Sequence, residues 1–326
     1  MNPPLLAVEG LGLSLRTRHG PVAVLRDVAL RLDAGETLGL VGESGSGKTM
    51  AALAIIGLLP QPGGVITAGS IRLRGEELVG AGAARLRQVR GGEIGMIFQE
   101  PMTALNPLFS VGEQVAETLR AHEGLGRRAA RARAEEMLRL VGVPGRARDY
   151  PHQLSGGMRQ RAMIAMALAC RPSILIADEP TTALDVTVQA QILDLLRDIQ
   201  RRFGAAILLI THDMGVIREM ADRVAVMYAG RIVEEGGAAA VLNRPAHPYS
   251  RALIACIPQP GAAGGERQLL AEIPGLVPPP GRWPEGCAFM PRCVAATARC
   301  RTAPPDIAAG PGHSAACWLG AAGAAI

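Results

Sequence analysis

Hydrophobic and polar residues follow two patterns in the first half of this chain. Over residues 1–35 they alternate, which predicts strands of an antiparallel layer. From residue 100 to residue 166 the apolar positions recur at helical spacing, and the clearest predicted helix is Arg127–Leu140. Its predicted buried face consists of Met137, Leu138 and the following Val141. The chain is therefore expected to combine a β layer with a helical segment.

Short apolar runs, separated by helical segments, predict further strands. The run Thr37–Val41 precedes a glycine-rich turn and a predicted helix over Lys48–Leu58. The other predicted strands are Ser70–Arg74, Ile94–Phe98, Ser173–Ala177, Ile207–Thr211 and Val224–Met227. Strands that alternate with helices are typical of an α/β fold, with a largely parallel sheet covered by helices on both faces.

The composition changes after about Gly236. Residues 258–284 contain many prolines and glycines, including three consecutive prolines that begin at Pro278. We expect residues 236–326 to form an extended appendage that is fixed by something other than a hydrophobic core.

The charge and the apolar content of the chain argue against a nucleic-acid-binding protein and against a membrane-spanning protein. A net charge of +5 is small for 326 residues, and aromatic residues make up only 3%, so no nucleic-acid partner is expected. The longest apolar runs fall short of the ~18 residues that a membrane span needs, and the first ten residues do not resemble a signal peptide. We therefore expect a cytoplasmic protein.

Of its 34 basic residues, only Lys48 is a lysine.

A phosphate-binding loop is predicted directly after the run Thr37–Val41. Residues 42–49 fit the pattern G-x-x-x-x-G-K-[ST], in the strand–loop–helix context that this motif requires. Its glycines let successive N–H groups face phosphate oxygens, and the following helix adds its positive N-terminus. We expect Lys48 to reach the β- and γ-phosphates and the Thr49 hydroxyl to bind Mg²⁺. The predicted nucleotide-binding residues here are Gly42, Ser44, Gly45, Ser46, Gly47, Lys48 and Thr49.

Two carboxylates follow the predicted strand Ser173–Ala177. Beside a phosphate-binding loop, Asp178 at the strand end can hold the hydration shell of Mg²⁺. The adjacent Glu179 can then polarise the attacking water as a general base. The two elements together predict hydrolysis of a nucleoside triphosphate.

A third motif, the run LSGGMRQ from Leu154 to Gln160, lies between these two elements in the sequence. With it, the chain resembles the ATPases of ABC transporters over residues 1–235. The resemblance implies a P-loop NTPase (RecA-like) core with an antiparallel β layer, a helical subdomain at about 100–166, and ATP and Mg²⁺ as cofactors. Ser155, Gly156 and Gly157 correspond to the family's signature loop, which caps the γ-phosphate of ATP held by the opposite subunit.

Four single residues take roles from the same resemblance. Gln99 corresponds to the glutamine that senses both Mg²⁺ and the transmembrane partner. This glutamine also helps to bind the Mg²⁺. Asp185 corresponds to the D-loop aspartate, and His212 to the switch histidine that contacts the γ-phosphate. The family usually stacks adenine on an aromatic residue upstream of the P-loop, but the first aromatic residue here is Phe98. His19 stands near the expected place, with Arg18 beside it, and the plane of either side chain can stack on a base, Arg18 by a cation–π contact.

Three segments are similar to the dipeptide and oligopeptide importers of this family, namely Met96–Pro107, Tyr150–Gln160 and His247–Leu253. The cysteine-containing tail is similar as well, although Val294 stands where that group commonly has proline. The resemblance thus covers nearly the whole chain. It implies an ATP-hydrolysing subunit that powers the import of dipeptides or oligopeptides.

Four cysteines lie close together in the tail, at Cys287, Cys293, Cys300 and Cys317. In a cytoplasmic protein, clustered thiols indicate a metal site before disulfides. Zinc sites usually offer C-x₂₋₄-C pairs, which this spacing lacks, and four irregularly spaced thiolates suit a [4Fe–4S] cluster at least as well. The resemblance also implies the cluster. The spacing alone leaves a cluster, zinc and free thiols open.

The resemblance implies partners and a location. The partners are a second ABC ATPase subunit, which forms a heterodimer, two transmembrane permease subunits and an extracytoplasmic peptide-binding protein. The chain would lie peripherally on the cytoplasmic face of the inner membrane. Two alternatives stay open: import of another solute, such as a nickel chelate, glutathione or a sugar, and a soluble ABC ATPase outside transport. The latter proteins tend to carry tandem ATPase domains or long coiled coils, whereas this sequence has one motif set.

Overall fold

The computed structural model of the chain describes residues 3–182, 184–257 and 272–319. Residues 258–271 of the proline- and glycine-rich segment and residues 320–326 of the predicted appendage lie outside the described residues. Within the described ranges the strands are β1 Leu6–Thr17, β2 Gly20–Leu32, β3 Thr37–Val41, β4 Gly64–Leu73, β5 Glu76–Glu77, β6 Ile94–Ile97, β7 Ile174–Asp178, β8 Ala206–Thr211, β9 Arg223–Tyr228, β10 Arg231–Gly237, β11 Asp306–Gly310 and β12 His313–Ala316.

The helices of the same ranges are α1 Lys48–Ile55, α2 Ala83–Gln88, α3 Pro101–Ala104, α4 Val111–Glu123, α5 Arg127–Leu140, α6 Gly156–Leu168, α7 Val186–Phe203, α8 Met214–Met220, α9 Ala238–Asn243 and α10 Pro248–Ala255. Short 3₁₀ turns cover Pro151–Gln153, Met290–Arg292 and Ala298–Arg301, and an irregular turn covers Val89–Glu93. None of the described helices has the length and apolar content to cross a membrane.

The described residues form two compact units. The described residues of the first unit lie within 1–5, 32–37 and 73–210, and those of the second unit within 6–31, 38–72 and 211–326. Each unit consists of three segments, and the segments of the two units alternate along the sequence.

The first unit is built on three parallel strands. β7 pairs in parallel with β6 on one side and β8 on the other, with Ile97 opposite Ala177 and Asp178 opposite Ile210. All three strands are buried along their whole length, as expected for parallel strands with both faces covered. Because the strands are parallel, their carboxyl ends meet at one edge of the sheet.

Helices α4, α5 and α6 pack on one another in the first unit. The predicted buried face of α5 is confirmed, since Met137, Leu138 and Val141 are at most 2% exposed. On the outer side of α5, Arg131 Nε lies 3.5 Å from Glu113 Oε2 on α4, an exposed ion pair that contributes little stability.

The second unit contains a mixed sheet in the order β3-β9-β10-β12-β11. β3 is fully buried and pairs in parallel with β9, whereas β9, β10, β12 and β11 pair antiparallel to one another. A second layer has the order β2-β1-β4. The turn Arg18-His19 joins β1 to β2 as a hairpin, which confirms the antiparallel layer predicted for the start of the chain.

The described part of the appendage corrects one expectation, because it contains helices α9 and α10, the hairpin β11–β12 and a small core. Tyr228 of β9, Tyr249 of α10 and Phe289 pack with ring centroids 4.6 to 5.3 Å apart, and both tyrosines are 0% exposed. A core was not expected because residues 258–284 are rich in proline and glycine. These three come together only in the fold.

A buried carboxylate also fixes the appendage. Glu234 of β10 is 1% exposed. It accepts hydrogen bonds from the backbone N–H groups of Ala246 (2.7 Å) and His247 (2.8 Å), and it lies 2.7 Å from Nε2 of His313 on β12. Buried carboxylates of this kind stabilise a fold when every oxygen is paired.

Candidate nucleotide-binding and hydrolysis residues

The predicted phosphate-binding loop of the second unit runs from the buried strand β3 to the helix α1. A Cβ atom at Gly42 would lie 2.2 Å from the carbonyl oxygen of Met227, and Gly42 has a φ of 156°. Gly47, with a φ of 108°, is the residue before the helix, and a Cβ there would lie 2.8 Å from Leu25. These two positions require glycine, which explains the spacing of the motif in terms of close packing.

Lys48 is buried in this loop and 6% exposed. Its ammonium donates to the carbonyl oxygens of Gly42 (2.7 Å) and Glu43 (3.0 Å), and it lies 3.5 Å from Ser46 Oγ. Because these contacts hold the ammonium over the loop, a phosphate bound by the loop's N–H groups would meet a positive charge already in place.

The remaining residues of the motif line the same turn. Ser46 is fully buried, and its N–H donates to Glu43 O (3.2 Å). Ser44, Gly45 and Thr49 are exposed. Gly47 has no side chain to cap α1, so the first N–H groups of the helix face outward from its N-terminus, an arrangement that favours an anion.

The candidate general base Glu179 lies in the first unit, where the parallel strands end. Its Oε2 accepts hydrogen bonds from Gln99 Nε2 (3.2 Å) and Thr182 Oγ1 (2.8 Å), and its N–H donates to Ile210 O (2.8 Å). The preceding Asp178 is the last residue of β7 and is 1% exposed. The structure thus brings Gln99 and Glu179 together, 80 residues apart in sequence.

Glu179 also has a strained backbone. Its φ is 47°, in the left-handed region that L-residues adopt at a cost of about 1–2 kcal/mol. Such strain persists where neighbouring contacts fix the conformation, and it is concentrated at functional sites. Here the Ile210 and Thr182 hydrogen bonds fix the turn and thereby the direction of the carboxylate.

The predicted signature residues lie at the N-terminus of α6, also in the first unit. Ser155 is the cap residue, and its Oγ accepts a hydrogen bond from Met158 N (3.3 Å). Ser155 and Gly156 are exposed, and a Cβ at Gly157 would lie 2.9 Å from Val188 of α7. Glycines in the first turn of a helix leave backbone N–H groups open to an anion.

Two further contacts lie in the first unit. The contact of Gln160 was not predicted, and for Asp185 only the residue was predicted as part of the site. The buried Gln160 of α6 donates from Nε2 to the carbonyl oxygen of Pro180 (2.6 Å), the residue after Glu179. Asp185 caps α7, where its Oδ1 accepts from Val188 N (2.9 Å). The signature helix is therefore linked directly to the turn that carries the candidate base.

His212 and His19 are both exposed residues of the second unit. His212 follows β8, and the next residue, Asp213, caps α8 by accepting from Gly215 N (2.7 Å). His19 lies in the β1–β2 turn, where its N–H donates to Thr17 Oγ1 (3.2 Å). Both histidines thus stand on short, well-anchored turns.

Two of the four tail cysteines have raised pKa values. Burial is the main cause at Cys287 and Cys293, and the negative charge of a Cys300 thiolate would raise the pKa of both further. Cys317 acts on Cys293 in the same way, and the N–H of Cys287 donates to Cys300 O (2.9 Å). Among the described residues, however, no group of three or more His, Cys, Asp or Glu side chains is arranged to hold a metal ion.

One set of contacts to the phosphate-binding loop was missed by sequence reasoning. Arg292 of the tail lies 2.9 Å from a carboxylate oxygen of Glu43, and Tyr249 accepts a hydrogen bond from Glu43 N. Both residues belong to segments that resemble those of peptide importers, but nothing in those segments indicates a contact with residue 43.

Comparison with known proteins agrees with these observations. The family model "ABC transporter" matches residues 25–182, and the model "Oligopeptide/dipeptide transporter, C-terminal region" matches residues 233–300. A putative peptide import ATP-binding protein of Brucella abortus is 50% identical and covers 94% of each chain. A probable D,D-dipeptide transport ATP-binding protein, DdpD of Escherichia coli, is 47% identical and covers 98% of this chain and 97% of its own.

Solved structures agree with the fold. The ATP-binding cassette MJ0796, in a dimeric post-hydrolysis state bound to ADP and Pi, is 29% identical and superimposes with a TM-score of 0.65. It covers 72% of this chain and 98% of its own length. The chain has the fold of an ABC ATPase, a P-loop NTPase, and it belongs to the ABC transporter ATP-binding family, in the group that carries the oligopeptide/dipeptide transporter C-terminal region.

Proposed function

We propose that this chain is the ATP-binding and ATP-hydrolysing subunit that powers an importer of dipeptides or oligopeptides. The observation that carries the proposal is the likeness over 94% of the chain to a putative peptide import ATP-binding protein, which extends through the tail. The ATPase part rests on chemistry as well, because the loop holds a buried ammonium against its own carbonyls and two side chains hold Glu179.

The phosphate-binding loop supplies the nucleotide contacts in this proposal. The N–H groups of Gly42, Ser44, Gly45, Ser46 and Gly47 bind the phosphates, and Lys48 neutralises their charge. The ring of His19 stacks on the base.

One residue of helix α1 and residues at or just after the ends of strands supply the metal contacts and the base. Thr49, Gln99 and Asp178 hold Mg²⁺, which supplies charge neutralisation at the β- and γ-phosphates when bound. Glu179 accepts a proton from the attacking water, and the amide of Gln99 keeps its carboxylate in place. His212 contacts the γ-phosphate.

The signature residues act on a second subunit. We propose that Ser155, Gly156 and Gly157 present their N–H groups to ATP held by a partner ATPase, with Asp185 at the same interface. The partner is a similar but different chain, so that the pair is a heterodimer. The dimeric state of the similar cassette MJ0796 supports the pairing of two ATPase chains, and the choice of a different chain as partner rests on the family resemblance.

A Glu179→Gln variant tests the assignment of the base. It should bind MgATP as tightly as the wild type, while hydrolysis falls by about 10²–10⁴-fold, the usual contribution of a general base. Binding is measured by titration with a fluorescent ATP analogue, and hydrolysis by phosphate release. Glu135→Gln, which removes an exposed carboxylate of α5, is the matched control and should retain full hydrolysis. Normal turnover by Glu179→Gln would show that another group is the base.

The cargo and the partners are tested in the assembled importer. We propose that the chain docks on two transmembrane permease subunits at the cytoplasmic face of the inner membrane, and that an extracytoplasmic binding protein delivers the peptide. With the complex in liposomes, a peptide-loaded binding protein should stimulate ATP hydrolysis. Stimulation only by a nickel chelate, glutathione or a sugar would reassign the cargo, and failure to copurify with permeases would favour a soluble ATPase.

We also propose that Cys287, Cys293, Cys300 and Cys317 hold a [4Fe–4S] cluster with a structural role. Support comes from the likeness of the tail to that of peptide importers and from the backbone hydrogen bond that the Cys287 N–H donates to Cys300 O. Protein purified without oxygen should be brown and contain iron and sulfide, and Cys300→Ser should reduce both. Colourless protein free of iron and sulfide would reject the cluster, and bound zinc in its place would support the alternative metal.

Finally, we propose a division of roles along the chain. Residues 1–235 form the nucleotide-binding domain, with a helical subdomain at about 100–166 that faces the permeases. Residues 236–326 form the cysteine-containing extension.

A further inference from the structure

Residues of the tail contact the phosphate-binding loop at Glu43. The guanidinium of Arg292, one position before Cys293, donates from one nitrogen to both carboxylate oxygens of Glu43, at 2.9 and 3.2 Å. The two residues lie 249 positions apart in sequence. The Arg292 side chain is 6% exposed and that of Glu43 is 26% exposed, so solvent screens this ion pair only in part.

The rest of the Arg292 guanidinium is bound as well. It donates to the carbonyl oxygens of Pro274 (2.7 Å) and Ile273 (3.0 Å) and to the hydroxyl of Tyr228 (3.3 Å). It also lies 5.9 Å from the ring centres of Tyr228 and Phe289. A guanidinium held on so many sides is fixed in position, so it acts on Glu43 as a rigid anchor.

The main chain of Glu43 is held by a second tail residue. The hydroxyl of the buried Tyr249 accepts a hydrogen bond from the Glu43 N–H (2.8 Å), and burial raises the pKa of that hydroxyl, which keeps it protonated. The carbonyl oxygen of Glu43 in turn accepts from Lys48 Nζ (3.0 Å). The tail therefore fixes the residue whose carbonyl holds the phosphate-binding ammonium.

This arrangement has a consequence for binding. A loop with glycines at 42, 45 and 47 has many backbone conformations, and ordering it on binding opposes affinity. Contacts that already fix the loop before the nucleotide binds reduce this cost in conformational entropy. We propose that Arg292 and Tyr249 are positioning residues for the phosphate-binding loop, so that the cysteine-containing tail sets the affinity of this chain for nucleotide. The inference rests on the nucleotide binding proposed above.

A double-mutant cycle on the full-length chain tests the ion pair. Arg292→Gln and Glu43→Gln should each raise the Kd for a fluorescent Mg²⁺–ATP analogue by about tenfold, the coupling typical of contacting charged groups. The double variant should bind no worse than either single variant. Arg299→Gln, which removes an exposed guanidinium of the same segment, is the matched control and should leave the Kd unchanged. Additive effects of the two changes would overturn the proposal.

A milder variant separates positioning from folding. Tyr249→Phe keeps the buried ring and removes only the acceptor for the Glu43 N–H. It should raise the Kd by about threefold to tenfold, as expected for loss of one hydrogen bond, with the kcat at saturating ATP close to wild type. A lowered thermal midpoint with an unchanged Kd would show a purely structural role and would refute the inference.

The two proposals fail in different ways. Wild-type protein that binds no nucleotide would contradict the proposed function. Wild-type binding that is matched by Arg292→Gln, Glu43→Gln and Tyr249→Phe would contradict only the role of the tail.

Discussion

Replacing Gly42 by alanine should damage the phosphate-binding loop far more than the same change at Gly45. A Cβ at Gly42 would lie 2.2 Å from the carbonyl oxygen of Met227, which is backbone of the buried strand β9 and has no freedom to turn aside. A Cβ at Gly45 would meet nothing within 4 Å. The same substitution therefore meets a steric clash at Gly42 and open space at Gly45.

The magnitudes follow from these distances. Overpacking against a rigid neighbour destabilises by about 1–3 kcal/mol, and an unfavourable φ adds about 1 kcal/mol. Gly42→Ala should therefore lose about 2–4 kcal/mol. Gly45→Ala, with a φ of 79° in open space, should lose only the conformational part of about 1 kcal/mol. At roughly 2 °C per kcal/mol for a chain of this size, the thermal midpoints should differ by several degrees.

The assay is thermal unfolding of both variants and the wild type without nucleotide, followed by circular dichroism. Omitting nucleotide matters because Gly45 is exposed in a loop that we propose to contact phosphates, and bound ligand would mask the comparison. Equal midpoints for the two variants, or a lower one for Gly45→Ala, would refute the steric reasoning.

Three further predictions concern other parts of the molecule. Lys48→Arg should fold but lose most ATP hydrolysis, because a wide guanidinium replaces the compact ammonium held between Gly42 and Glu43; a fully active variant would contradict this in a phosphate-release assay. Gln160→Leu should lower the thermal midpoint, because the Pro180 carbonyl loses its donor at a cost of about 1–3 kcal/mol, and Gln160→Glu should not restore it. Burial lowers the pKa of His247 to about 3, so the unfolded chain takes up this proton first and stability should fall as the pH drops from 6.5 towards 3, by about 1.4 kcal/mol per unit. His247→Asn keeps a capping oxygen and cannot titrate, so its melting temperature should depend less steeply on pH; equal slopes would show that another group dominates.

Sequence reasoning located the strands that carry the candidate site because those strands are buried on both faces. The predicted runs Ile94–Phe98, Ser173–Ala177 and Ile207–Thr211 each overlap an observed strand to within one residue at either end. A short continuous apolar run does not distinguish a strand from a buried helix by its periodicity, but its length and its flanking residues favour a strand here. The motif also predicted the phosphate-binding loop. Two of its glycines are required by steric contact, so the sequence pattern reflects the packing of the loop.

Other features were not predicted. The helix predicted over Lys48–Leu58 ends at Ile55; Gly57, with a φ of 65°, closes its last turn and is a stop signal in the sequence that the prediction did not use. The left-handed backbone of Glu179 is not marked by a glycine, so composition cannot reveal it. The contact between Glu43 and Arg292 depends on how two distant segments fold onto the same sheet, which a single sequence does not encode in any local pattern.

The pairing of β12 with β10 has a practical consequence for truncation. Glu234 and Glu235 of β10 lie opposite Ala315 and Ser314, so a fragment that ends near residue 235 would present an unpaired strand edge to solvent. Open edges of this kind pair with other chains and aggregate. The same cut would also leave the carboxylate of Glu234 without His313. Expression of the ATPase part alone should therefore retain the tail hairpin, whose own outer strand β11 is short and largely solvent-exposed.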